Sequence, residues 1–151
     1  MRPFTLIELL LVIFLIGIGV SLLSLNIPRV LKRQKFERGV DLIVHKIELA
    51  QETLLDYRAD VHLAFWQEGG KLWVKITVDQ PLCERLKNAL NRHCEIRGVE
   101  TVTFNDRELP FELFFDGSLG LTPYGSLHCV GGSKQRITIP LKGYPCSVTV
   151  P

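Results

Sequence analysis

A single carboxylate, Glu8, stands at the edge of residues 9–28, twenty residues without one charged side chain. A carboxylate beside so much apolar sequence is costly and is kept only when it has a partner. The chemistry to expect of Glu8 is therefore an interaction with a partner group. A second group is the four cysteines, Cys83, Cys94, Cys129 and Cys146, all after residue 80. An even count in a small domain suits two disulfides and an oxidising compartment. Because His93 precedes Cys94 and His128 precedes Cys129, a zinc site can also be drawn. No C-x-x-C occurs, however, and neighbouring residues of a strand point to opposite faces. Disulfides are the favoured reading and no metal is expected. Their connectivity stays open. A regular helix between Cys83 and Cys94 would hold them about 16 Å apart. In a flat meander Cys129 and Cys146 would lie roughly 9–10 Å apart, and bonding needs less than about 7 Å.

Catalysis finds little support. Ser118, Ser126 and Ser133 lie near glycines, but there is no G-x-S-x-G elbow. There is no G-x-x-x-x-G-K-[ST] phosphate loop either. The expectation is a protein that is not an enzyme and carries no cofactor. A net charge of +2 does not by itself point to nucleic acid.

These residues need elements to position them. Twenty helical residues cover roughly 30 Å, the thickness of a bilayer's hydrocarbon core. The apolar run is too long for a cleaved secretory signal, and no A-x-A exit follows it, so it reads as a retained single-pass anchor. Only Arg2 precedes the run, whereas Arg29, Lys32, Arg33, Lys35 and Arg38 follow it. The positive-inside rule would then leave the C-terminal part in the cytoplasm, while the cysteines favour an oxidising compartment. Farther on, Phe36, Val40, Ile43, Ile47, Ala50, Leu54 and Tyr57 recur at spacings of 4 and 3, one stripe of an amphipathic helix. The expectation is one long helix from Phe4 to about Arg58, kinked at Pro28, with Gly39 a tolerated weak point.

After Arg58 the period becomes two. Val61, Leu63 and Phe65, then Leu72, Val74, Ile76 and Val78, alternate with more polar residues across Gly69-Gly70, which predicts a hairpin. Trp66 and Trp73 fall on its more polar face. Pro81 ends it, and Leu82, Leu86, Ala89 and Leu90 suggest a short helix. Further strands are expected over 100–104, 111–115, 126–130, 135–141 and 147–150. The predicted class is α+β, with antiparallel sheets packed on the long helix.

The run Phe4-Thr5-Leu6-Ile7-Glu8-Leu9-Leu10, entering an apolar helix directly, closely resembles the processing and assembly motif of type IV pilins and type II secretion pseudopilins. The resemblance implies cleavage between Pro3 and Phe4, methylation of the new Phe4 amine, and neutralisation of a neighbouring subunit's amine by Glu8. The family carries Gly before the cut, where this sequence has Pro3. Residues 48–55, the Trp-bearing hairpin and Phe114-Phe115-Asp116-Gly117 are similar to the H-type minor pseudopilins and the related FimT-type minor pilins. The domains then expected are a leader (1–3), a transmembrane helix (4–28), its amphipathic continuation (29–58) and a periplasmic β-rich domain (59–151). The implied location is the inner membrane, with the N-terminus cytoplasmic and the basic cluster 29–38 lying on lipid head groups. The implied partners are the major and other minor pseudopilins, prepilin peptidase, the inner-membrane secretion platform and membrane lipid. The alternative is a FimT-type subunit that binds DNA for uptake or supports pilus assembly. It needs a basic patch, for which Lys134, Arg136 and Lys142 are the candidates.

Overall fold

The computed structural model describes residues 6–24, 27–79, 84, 88, 90–132 and 135–142. They form two helices, α1 (Leu6–Ser24) and α2 (Ile27–Tyr57), and seven strands. The strands are β1 (Val61–Glu68), β2 (Lys71–Val78), β3 (Cys94–Ile96), β4 (Val99–Phe104), β5 (Phe111–Phe115), β6 (Gly125–Gly131) and β7 (Gln135–Leu141). Two compact units divide the chain, Met1–Gln34 and Lys35–Pro151.

The expected single helix from Phe4 to Arg58 with sheets packed along it is corrected. There are two helices, and the seven antiparallel strands form two separate sheets. Pro28 is not a kink inside a helix but lies in the first turn of α2. A missing N–H is harmless there, because the first turn has no intrahelical acceptor to meet.

The expected transmembrane helix and single-pass inner-membrane location are corrected with it. Among the described residues no helix is long and apolar enough to cross a membrane. The uncharged run and the helix do not coincide: α1 ends at Ser24, and Pro28 belongs to α2. Residues 9–24, the uncharged part of α1, rise roughly 24 Å at 1.5 Å each, short of the roughly 30 Å a span needs.

The order of strands in one sheet is β3-β2-β1-β5 and in the other β4-β6-β7. β1 and β2 pair from Val61↔Val78 to Glu68↔Lys71 around Gly69 and Gly70, both at positive φ, the geometry of a tight two-residue hairpin. Branched residues Val61, Val74, Ile76, Ile137 and Ile139 fill inward positions, where they suit a pleated, half-buried surface.

In the Lys35–Pro151 unit the α2 stripe and the inward strand residues share one core. Phe36, Val40, Ile43, Ile47, Ala50 and Leu54 join Val61, Leu63, Phe65, Leu113, Phe115, Leu127 and Ile139, all buried. Tyr57, the last residue of the expected stripe, is exposed. The next residue, Arg58, takes a left-handed φ of 48° and ends the helix. Asp60 then ties the chain to a distant loop, its Oδ1 accepting from the Gly117 N–H at 2.8 Å. Leu90, from the expected short helix, is buried. Pro81, Leu82, Leu86 and Ala89 lie outside the described residues, as does the strand expected over 147–150.

β3 was not expected. It is three residues long and pairs with β2 at Leu72↔Ile96, Trp73↔Glu95 and Val74↔Cys94. Its successor β4 belongs to the other sheet, so Arg97-Gly98 hands the chain from one sheet to the next. That handover rests directly on α2. A Cβ on Gly98 would stand 2.5 Å from the Lys35 carbonyl, and one on Gly39 would stand 2.5 Å from the Arg97 oxygen. Gly39 is tolerated in the helix as the place where the Arg97 backbone fits against it.

Candidate functional site

The close approach of α2 to the Arg97-Gly98 turn leaves an open cleft of about 620 Å³ beside it. Lys35 and Arg38 enter from α2, Lys71 from the start of β2, and Glu95 and Arg97 from β3 and the turn after it; Leu42 and Leu72 give it an apolar floor. Glu95 is the one acid among these residues. Its Oε1 lies 3.6 Å from Lys71 Nζ and its Oε2 3.3 Å from an Arg97 guanidinium nitrogen. Such exposed pairs contribute little to stability, about 0–1 kcal/mol. Their effect is on charge: four cations face one carboxylate, leaving a surplus of three. The arrangement can hold an anion or an acidic surface, and it offers no nucleophile and base.

Sequence reasoning missed this cleft. In sequence Lys35 and Arg38 belong to the basic cluster with Arg29, Lys32 and Arg33, whereas Lys71 and Arg97 stand apart from it. The one available signal was basic residues at two turn glycines, Gly70-Lys71 and Arg97-Gly98. The basic patch proposed at Lys134, Arg136 and Lys142 is only partly described. Arg136 and Lys142 are exposed, and Lys134 lies outside the described residues.

Glu8 is exposed in the first turn of α1, the helix end at which a negative charge is favoured. Around it Leu6, Ile7, Leu9, Leu10 and the following side chains through Ile16 are all exposed, Leu6 by 82%. Pro3 and Phe4 lie outside the described residues.

Of the four candidate disulfide cysteines, Cys94 and Cys129 are free thiols. Cys83 and Cys146 lie outside the described residues. Cys129 points into the core from β6, and burial pushes its thiol up to about 12; Cys94 is half-buried. Because the thiolate is the reactive form, native protein treated with a maleimide at pH 8 is expected to label at Cys94. Cys129 should label only after unfolding, and rapid native labelling of Cys129 would contradict its burial. Its neighbour His128 lies on the other face of β6, Nε2 3.1 Å from Ser126 Oγ and Nδ1 2.9 Å from Thr138 Oγ1. The His-Cys pair thus divides between two faces. Among the described residues no group of His, Cys, Asp and Glu is arranged to hold a metal.

Two further constellations have structural roles. His62 Nδ1 lies 2.7 Å from Glu112 Oε1 and Nε2 3.2 Å from Asp79 Oδ2, tying β1 to β5 and to the end of β2. Asp116 pins the loop after β5. The Ser118 hydroxyl and the Leu119 N–H both donate to its Oδ1 and hold the carboxyl below its ordinary range. Trp66 and Trp73 are cross-strand partners, half-buried on the outer face, with Trp73 edge-on to His93 at 5.4 Å.

Comparison with protein-family models, with characterised proteins and with solved structures finds no match.

Proposed function

We propose that this protein is a structural minor subunit of a type II secretion pseudopilus and not an enzyme. In this reading Phe4 is the mature N-terminus, and the Glu8 carboxylate neutralises the Phe4 amine of a neighbouring subunit. The partners are the major pseudopilin, the other minor pseudopilins and the prepilin peptidase. One observation carries the reading: the sequence run Phe4-Thr5-Leu6-Ile7-Glu8 leads into α1, whose large apolar side chains are exposed from Leu6 to Ile16. A contiguous apolar surface of that kind marks an interaction site, and side-by-side packing of α1 helices from several copies would cover it.

The test is the intact mass of the protein from its own cells. Loss of Met1-Arg2-Pro3 and gain of one methyl group are expected. A chain still beginning at Met1 would remove the amine assigned to Glu8 and reject the reading.

The alternative, a FimT-type subunit that binds DNA, draws support from the basic cleft. Four cations in one cleft are few for tracking a phosphate backbone.

A further inference from the structure

We infer that the basic cleft is an interface between copies of this chain, receiving the acidic C-terminal end of α2 from a second copy. The inference goes beyond the filament-subunit reading, whose named partners are other subunits, and adds a contact between copies of this chain itself. The cleft carries a surplus of three positive charges over an apolar floor of Leu42 and Leu72.

The complementary surface is on the same folded unit. Glu52, Leu55 and Asp56 are all exposed, and their spacing of 3 and 4 sets them on one helical face. The last turn of α2 carries Asp56 and no basic residue. Carboxylates there face the negative end of the helix dipole, which disfavours them. Helix stability therefore gives no reason for acids at this end, whereas a cationic partner does. An exposed leucine between two carboxylates also matches a cleft that is basic at its walls and apolar at its floor.

The two surfaces cannot meet within one molecule. Arg38 and Asp56 stand eighteen residues apart on one helix, roughly 27 Å at 1.5 Å per residue. They can meet only between copies. A contact that joins one patch to a different patch is head-to-tail, and it extends into a filament unless its rotation closes a ring. A self-complementary patch would instead stop at a dimer.

The experiment uses the full chain in mild detergent, mixing ordinary and nitrogen-15-labelled protein. A carbodiimide then joins carboxylates to amines already in contact. Mixed-isotope cross-links from Lys35 or Lys71 to Glu52 or Asp56 are expected. Arg38→Glu with Arg97→Glu, or Glu52→Lys with Asp56→Lys, should each weaken association at least tenfold. Mixing the two double variants should restore it, because the reversed charges again match. All four positions are exposed, and unchanged thermal unfolding of the variants excludes misfolding as the cause. Association with cross-links elsewhere, indifferent to both reversals, would overturn this inference and leave the filament reading standing. A chain that stays monomeric at every salt concentration would overturn this inference alone, because the partners in the filament reading are other pseudopilins and that reading is tested by the intact mass. Tight binding of single-stranded DNA that is lost with Arg38→Glu and Arg97→Glu, with association unaffected, would reassign the cleft to nucleic acid.

Discussion

Gly98→Ala is expected to destabilise the Lys35–Pro151 unit by about 2–6 kcal/mol, lowering its thermal midpoint by roughly ten degrees or more. Two costs add. Gly98 has a φ of 87°, where an L side chain is strained. The new methyl would also stand 2.5 Å from the Lys35 carbonyl carbon and oxygen and 2.7 Å from the Phe36 nitrogen. Those atoms are helix backbone, so neither a rotamer change nor a small side-chain shift relieves the clash. Either the Arg97-Gly98 turn or the helix must move, and the buried stripe beginning at Phe36 moves with it. Gly69→Ala separates the two costs. Its φ is also positive, at 59°, yet nothing lies within 4 Å of the Cβ position. Only the conformational part remains there, about 1–2 kcal/mol. Chemical denaturation of both variants decides the matter. If Gly98→Ala were no worse than Gly69→Ala, the turn would not be clamped against α2 and the cleft would have no rigid wall.

The same region shows what was and was not legible in the sequence. Spacings of 4 and 3 from Phe36 to Leu54 placed that face of α2 correctly, because a helix that buries one side must repeat apolar residues at its own period. Alternation did the same for β1 and β2. Tyr57 continued the pattern in sequence but not in space, since periodicity carries no signal for a helix ended by a left-handed Arg58. β3 escaped because three residues are too few to show a period. The break between α1 and α2 escaped for another reason. An uncharged run records composition and carries no signal for helix bounds, and the run 9–28 matches neither α1, Leu6–Ser24, nor α2, Ile27–Tyr57. The cleft was hidden most deeply. Lys35, Lys71 and Arg97 come from three elements, and only the close approach allowed by Gly39 and Gly98 brings them together.

Glu8→Leu is expected to abolish cross-linking to the major pseudopilin and secretion in the same cells, while the Lys35–Pro151 unit unfolds as in the wild type. Glu8 belongs to the other unit, in the first turn of α1, where its own helix favours the charge by about 0.3–1 kcal/mol. Assembly would cover the exposed Leu6, Ile7, Leu9 and Leu10 around it with other copies. In the proposed assembly the Phe4 amine of a neighbouring copy meets the Glu8 carboxylate. Replacing Glu8 by leucine strands that amine, a loss of about 3–5 kcal/mol per contact, which corresponds to more than a hundredfold in association. Glu8→Gln sharpens the test, because it keeps the size and hydrogen bonding of the side chain and removes only its charge. Equal loss in both variants would assign the effect to the ion pair. Recovery in Glu8→Gln would assign it to hydrogen bonding, and unchanged cross-linking and secretion in Glu8→Leu at equal protein levels would leave Glu8 with no part in assembly.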